Sequence, residues 1–332
     1  IRNCTTIMQP HYNYATALQL CNRTTIMQLH YKIRNLCLCA VCHKLLKTEM
    51  NDLVSLRLGI RGWLTPSFQP QRNFIPLIRF SSAEMEEFML KLTVKAENRK
   101  LKGSVIWCAC FLLPVIPAIM GSFNYKMNQA VLTGGWYSLW SQLTLFYALL
   151  FYAPLVALYC SYLWRLEHLQ HNWNVLMTMP IPVRNIFFGK LYVIIKVTLI
   201  TQLWLFLLFL FCGRLLGFHG FPPTDILFWT LRGTFAALAI GALQLLLSMC
   251  IRSFAIPIGL ALIGSIFGFL FASFSKNAAC LFPYSLMLLG MNSNSYEDHM
   301  SEQIIPFLAS TLLFFVLFCG ISILILKKRD IK

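Results

Sequence analysis

Long apolar runs alternate with short polar segments from residue 89 onward. A helix that crosses a bilayer needs about 20 mainly apolar residues, and six runs are long enough to do so. They cover residues 104–122, 139–163, 191–213, 226–250, 254–272 and 304–326. The fifth run is short and rich in glycine, and it can form a tight hairpin with the fourth around Arg252. The pattern therefore predicts an all-α membrane protein with six transmembrane helices.

Composition supports the membrane assignment and changes how the charge is interpreted. The chain is 58% hydrophobic and 12% charged, whereas soluble domains have about 25% charged residues. A formal net charge of +16 at pH 7 is typical of nucleic-acid binding, but most of the basic residues flank the apolar runs. In that position they set topology and meet anionic lipid. We therefore expect membrane lipid as a partner and no nucleic acid.

The basic residues also predict an orientation. They cluster on alternate sides of the runs, at 91–102, between the second and third runs, at Arg252 and at 327–332. The loops on the opposite side hold most of the acids of the six-run region. Cytoplasmic loops carry an excess of lysine and arginine. The distribution therefore predicts that both termini are cytoplasmic and that 164–190 is a cytoplasmic loop.

The first 88 residues differ from the rest. The stretch TTIMQPHY returns 19 residues later as TTIMQLHY, and two copies cannot form a solenoid. We expect 1–88 to be a non-native or disordered extension and 89–332 to be the six-span domain, with Met89 or Met85 as the start.

A cysteine-rich stretch in this extension resembles a cofactor site. Cys39-Ala-Val-Cys42-His43 fits the C-x-x-C-H pattern of haem attachment, and Cys37 adds a third thiol that would suit a metal cluster. Haem attachment requires export, and no signal peptide is recognised before the motif. A zinc site would need a fourth ligand at a suitable spacing. The sequence therefore predicts no metal site and no cofactor bound by this chain.

The segment 85–102, MEEFMLKLTVKAENRKLK, has a helical pattern. Its apolar face holds Phe88, Leu92 and Ala96, with Leu101 as a further candidate, and its basic face holds Lys95, Arg99 and Lys102. This pattern predicts an amphipathic helix on the inner membrane surface. The alternative is a basic segment that acts only as a topology signal.

The loop between the second and third runs is unusually structured. Trp164 ends the second run, and a short helix is predicted at 166–178. Pro180 and Pro182 end that helix, because proline cannot continue it and restricts the residue before it. A turn at 183–185 follows. Such a rigid loop is suited to press against another protein, although it could equally just join two spans.

The residues of this loop resemble a known family. Glu167, then NWNVLMTMP at 172–180, then Arg184, Ile186 and Lys190 are similar to the E…xTWxxLLxLPxxRxxIxxxK pattern of ABC-2 type transporter permeases. The size of 89–332 and its Lys-Arg-Asp-Ile ending resemble the lantibiotic-protection permease subunits within that group. The stretch KAENRKLKGSVIW also resembles the start of these chains, where a Glu and a Lys lie shortly before the first span. The candidate residues of the predicted interfacial helix are Lys95, Glu97 and Arg99.

The resemblance implies a transport subunit and not an enzyme. A separate cytoplasmic ABC ATPase would bind ATP and Mg²⁺ and would drive two six-span halves, this chain and a second permease, as a homodimer or heterodimer. The residues implied to couple the ATPase to the membrane domain are Glu167, Trp173, Leu176, Pro180, Arg184 and Lys190. The chain lacks a phosphate loop, since Arg184 stands where G-x-x-x-x-G-K needs its first glycine.

The implied function is export of a lantibiotic or a similar hydrophobic peptide from the bacterial cytoplasmic membrane. Three alternatives stay open: a generic ABC-2 exporter of drugs or lipid-linked molecules, a non-transporting immunity or sensor protein, and an intramembrane enzyme or secondary transporter. The last would need acids or polar clusters within the spans, which hold almost none. No catalytic set is found, because His168 and His171 beside Glu167 do not form H-E-x-x-H.

A few polar residues within the runs need a reason, because a charge at the bilayer centre costs roughly 2.5–3.5 kcal/mol. Arg232 pairs with Asp225 near the outer surface or lines a path for the peptide. Gln202 and Gln244 are interhelical hydrogen bonders or line the same path. Gly264 and Gly268 predict a close helix contact. The polar outer loop 273–303 either meets substrate or is a plain surface loop.

Overall fold

A computed structural model describes residues 82–169, 172–178, 181–293 and 303–328. Within these ranges the chain is helical and forms no strand. The helices are α1 (Ser82–Leu101), α2 (Ile106–Met127), α3 (Trp136–His168), α4 (Asn172–Thr178), α5 (Val183–Leu215), α6 (Thr224–Cys250), α7 (Ala255–Phe274), α8 (Lys276–Cys280), α9 (Ser285–Gly290) and α10 (Ile304–Lys328). One π-helical turn, Tyr147–Phe151, interrupts α3.

The six-span prediction is confirmed. Among the described residues, six helices are long and apolar enough to cross a membrane, namely α2, α3, α5, α6, α7 and α10. The central helices are α3 and α6, in each of which 61% of the most apolar window is buried, against 17% for α10. The apolar outer face of α10 is therefore available to lipid.

The helices on either side of the predicted cytoplasmic loop are longer than expected. Both α3 and α5 have 33 residues, which corresponds to about 50 Å at 1.5 Å per residue and exceeds a hydrocarbon core of about 30 Å. Residues 166–168 belong to α3 and not to the predicted short helix, which begins only at Asn172. The predicted turn at 183–185 is wrong, because α5 starts directly after Pro182, which is the N-cap residue and has a non-helical ψ of 132°.

The segment between α7 and α10 folds back into the bundle, so its described part is not a plain surface loop. Leu286, Met287 and Met291 are fully buried, and Trp140 Nε1 donates a hydrogen bond of 2.8 Å to the Met291 carbonyl. Non-helical backbone at membrane depth is tolerated only where protein buries it or it lines a water-filled cavity. The short helices α8 and α9 therefore complete the packing of this end of the bundle.

Candidate functional site

Helix α1 runs beside the first part of α5 in the same direction. Near the start of both helices, Arg184 Nη2 lies 2.8 Å from Glu86 Oε1. At the other end of the contact, Lys196 Nζ donates a hydrogen bond to Asn98 Oδ1. This parallel docking connects α1 to α5 over about three helical turns.

The face of α1 that packs against the bundle carries polar residues beside the buried Leu101. Thr93 and Glu97 are buried, whereas Ala96 on the apolar face is exposed. Gly189 of α5 permits the close approach, because a Cβ at this position would lie 2.7 Å from Thr93 Cγ2. Of the predicted apolar face, Ala96 is exposed, whereas Phe88 and Leu92 are half-buried.

Two lysines and two glutamates meet where α1, α3 and α5 join. Lys190 Nζ lies 3.0 Å from Glu97 Oε1 and 2.8 Å from Glu167 Oε1. Lys100 Nζ contacts the same two oxygens, at 2.7 Å from Glu97 and in a shorter ion pair with Glu167. We call Glu97, Lys100, Glu167 and Lys190 the charge cluster. The charge cluster has a formal charge of zero, and its ion pairs connect α1, α3 and α5.

The charge cluster is buried, and its contacts offset part of the loss of water, while Glu97 Oε2 is buried and has no hydrogen-bond partner in the described part of the chain. The Lys190 side chain is 0% exposed, and those of Glu97 and Glu167 are 3% and 7% exposed. Lys190 Nζ also lies 3.5 Å from the Leu163 carbonyl oxygen and 4.9 Å from the centre of the Trp164 ring, an attractive cation–π arrangement. A buried ion pair is stable only with good geometry and further hydrogen bonds, and Lys190 has both.

Lys100 lies at the edge of the charge cluster, outside the spans. Burial acts to lower the pKa of Lys100, but attraction to Glu97 and Glu167 and hydrogen bonds to both carboxylates raise it overall. Because the pKa of Lys100 is raised in the folded state, its charge stabilises the fold fully at any pH below the ordinary lysine pKa of 10.5. That stabilisation is lost only as the pH rises through the raised pKa, so Lys100 stays charged at neutral pH.

Helix α4 is fixed to the end of α3 by aromatic stacking. The Trp173 ring lies 5.7 Å from the His168 ring with 13° between the planes, and 5.7 Å from the Trp164 ring. His168 Nε2 in turn lies 3.2 Å from the Ser248 carbonyl oxygen of α6. Since Trp164 also covers Lys190, one continuous set of contacts leads from α4 to the charge cluster.

The structure brings only some of the predicted coupling residues together. Glu167 and Lys190 belong to the charge cluster, and Trp173 contacts it through Trp164. Arg184 is exposed and Leu176 is half-buried. Pro180 lies outside the described residues.

Helix α1 contributes one residue that the sequence pattern identified and one that it missed. Glu97 lies in the charge cluster, whereas Lys95 and Arg99 are exposed. Lys100 was not singled out from the sequence. Its spacing from Glu97, three positions along one helix, is a signal that could have identified it.

The polar residues within the spans contact parts of the same chain. Asp225 accepts a hydrogen bond of 2.8 Å from the Tyr137 hydroxyl. Gln244 Nε2 donates a hydrogen bond of 2.7 Å to the Tyr284 hydroxyl. Gln202 Nε2 lies 3.9 Å from the Met291 sulfur. Both glutamines thus hold the segment that folds back between α7 and α10.

These contacts do not test two predictions from the sequence. One is the boundary of the six-span domain at residue 89. The other concerns the cluster of Cys37, Cys39, Cys42 and His43. The cysteine cluster and the rest of 1–81 lie outside the described residues. The described part of the chain begins at Ser82, the first residue of α1, which is seven residues before Met89.

Six apolar helices and a buried charge cluster between two of them define a multi-pass membrane protein. A family model described as ABC-2 family transporter protein matches residues 93–268, which is more than half of the 332-residue chain. The chain therefore belongs to the ABC-2 transporter family and is a membrane permease subunit, of a kind that generally works with an ABC ATPase. The match includes all four residues of the charge cluster. No match was found among curated proteins or solved structures.

Proposed function

We propose that the chain is the permease subunit of an exporter that expels a hydrophobic peptide, such as a lantibiotic, from the bacterial cytoplasmic membrane. The likeness of the 167–190 pattern to lantibiotic-protection permeases supports the substrate class. The positive-inside pattern supports cytoplasmic termini, with α4 and the start of α1 on the cytoplasmic side. The observation that carries the proposal is the charge cluster, because it joins α1, α3 and α5 where a cytoplasmic ATPase would act.

The mechanism follows from these connections. A separate ATPase hydrolyses ATP with Mg²⁺ and presses on α4 and α1. Because Trp173 holds α4 on the end of α3 and the charge cluster holds α1, α3 and α5 together, the displacement of α4 moves the second and third spans as one unit. A second permease, identical or different, supplies the other half of the path.

Replacement of Trp173 by alanine tests the mechanical link. We expect at least a tenfold lower rate of ATP-dependent peptide export, because the stacking on His168 and Trp164 is lost, while membrane insertion is unchanged. The measurement is uptake of a labelled lantibiotic into inverted vesicles that contain the chain and its ATPase. Trp173→Phe, which keeps a stacking ring, serves as the matched control and should export at close to the normal rate.

Two outcomes would contradict the proposal. Normal export by Trp173→Ala would remove α4 from the coupling path. Export that continues after ATP is depleted would favour a secondary transporter, and peptide binding with no export would favour an immunity or sensor protein. If only drugs or lipid-linked molecules were exported, the family assignment would stand and the peptide substrate would not.

A further inference from the structure

Two exposed arginines lie at the end of the bundle that holds the charge cluster. Arg165 belongs to the last turn of α3, and Arg252 lies in the short connection from α6 to α7. Helix α7 has 20 residues, which correspond to about 30 Å at 1.5 Å per residue and match the thickness of the hydrocarbon core. The start of α7 at Ala255 therefore lies at the boundary of the core, and Arg252 lies at the depth of the lipid headgroups.

An aromatic ring holds Arg165 at the same depth. Arg165 Cζ lies 5.2 Å from the centre of the Phe254 ring, and Phe254 is the residue directly before α7. A cation over an aromatic face is attracted to the ring but is not neutralised by it. Because Phe254 lies two positions after Arg252, this contact places the Arg165 charge beside the same connection and leaves both charges unbalanced.

Neither arginine has an acidic partner in the part of the chain that the structure describes. The lysines of the charge cluster pair with its glutamates, and Arg184 pairs with Glu86. No such ion pair joins Arg165 or Arg252 to a described carboxylate. A guanidinium group binds phosphate oxygens through two parallel N–H···O bonds. Two unbalanced guanidinium groups at headgroup depth therefore favour an anionic phosphate as their partner.

The first turns of α7 present an apolar stripe next to these arginines. Four side chains of the stripe are each 40% to 53% exposed, namely Ile256, Leu260, Ile263 and Phe267. Their spacing of four, three and four positions places them on one face of the helix. Within a bilayer this face needs an apolar cover. The arginines at its headgroup end favour lipid, because a phospholipid carries its phosphate directly above its acyl chains.

We propose that one anionic phospholipid, such as phosphatidylglycerol, binds at this site. Its phosphate accepts hydrogen bonds from Arg165 and Arg252, and an acyl chain lies along the exposed stripe of α7. Phosphatidylcholine has the same phosphate, but its choline cation cancels the negative charge and is repelled by the two arginines. The inference requires only that the chain lies in a membrane, and it does not depend on which molecule the chain exports.

Native mass spectrometry tests this inference on the full chain. The protein is released from detergent micelles that contain phosphatidylglycerol and phosphatidylcholine in equal amounts and with the same acyl chains. We expect the wild type to retain phosphatidylglycerol in preference. Arg165→Gln and Arg252→Gln should each weaken binding of the first phosphatidylglycerol about fivefold, the usual contribution of one basic residue at an anionic membrane surface.

Two further variants separate a built site from general attraction. Lys126→Gln combined with Arg214→Gln removes the same two charges from exposed residues at the other end of the bundle, and we expect it to leave this binding unchanged. Arg165→Lys keeps the charge but loses the planar fork of the guanidinium. It should therefore weaken binding less than Arg165→Gln does, yet measurably.

Four outcomes would overturn the inference and leave the family assignment and peptide export intact. The first is equal retention of the two lipids, and the second is unchanged binding when Arg165→Gln and Arg252→Gln are combined. The third is displacement of the lipid by an equal concentration of glycerol 3-phosphate, which would indicate a site for a soluble phosphate. The fourth is a combined variant that keeps its lipid but no longer co-purifies with the ATPase, which would assign the arginines to a protein partner.

Discussion

Replacement of Lys190 by methionine is expected to destabilise the protein by roughly 3–5 kcal/mol, the range for removing one partner of a buried ion pair. Lys190 is fully buried and is bonded to both Glu97 and Glu167. Without it, Lys100 alone would face two buried carboxylates, and one negative charge would stay uncompensated in a place that water does not reach. The measurement is equilibrium unfolding in mixed micelles, and the progress of unfolding is monitored through the accessibility of Trp164 to a quencher.

Arg184→Met provides the matched control on the same helix. The pair of Arg184 and Glu86 is about half exposed on each side, at 53%, and exposed pairs contribute at most about 1 kcal/mol. We expect this variant to unfold close to the wild type. Equal effects of Arg184→Met and Lys190→Met would show that burial of the charge cluster has no energetic consequence.

A double variant examines the balance of charge directly. Glu167→Gln combined with Lys190→Met leaves one glutamate and one lysine, so the remaining pair is neutral. We expect the double variant to be more stable than the sum of the two single effects predicts, because contacting residues are not additive. Strict additivity would indicate that the four residues do not act as one cluster.

The hydrophobic pattern predicted the six spans because each one needs a long apolar run, and no tertiary contact alters that requirement. The ends of α3 and α5 were harder to predict. Glu167 and Lys190 look like residues at the end of a span when only neighbours in sequence are considered. Their helices continue through them because Glu97 and Lys100 of α1 neutralise the charges, and those partners lie about seventy to ninety positions away.

The segment between α7 and α10 shows a second limit of sequence patterns. Gly264 and Gly268 predict a close helix contact, but the partner is Tyr284 and the first residue of the short helix α9. A Cβ on Gly268 would lie 2.8 Å from the Ser285 nitrogen, so the backbone of the returning segment lies directly on α7. Residues 275–293 are interrupted by Pro283 and Gly290 and bounded by polar residues, so they form no apolar run long enough to span the membrane. Their burial depends on contacts with other helices, which a hydrophobic period does not contain.

Replacement of Gly121 by alanine is expected to disturb the packing of the first span on the second. A Cβ at Gly121 would lie 2.4 Å from Leu143 Cα and 2.6 Å from its nitrogen, and backbone atoms cannot move aside as a flexible side chain can. The helices α2 and α3 would have to separate, and such overpacking typically costs about 1–3 kcal/mol, occasionally more. Equilibrium unfolding in mixed micelles measures this loss.

Gly320→Ala in α10 is the control for the alanine itself. No atom lies within 4 Å of a Cβ at this position, and alanine favours a helix over glycine by roughly 0.8–1.0 kcal/mol. We therefore expect Gly320→Ala to be as stable as the wild type or slightly more stable. Because both substitutions add the same methyl group to a membrane helix, the difference between them isolates the backbone contact at Leu143. A Gly121→Ala protein that unfolds like Gly320→Ala would show that α2 and α3 do not pack at this distance.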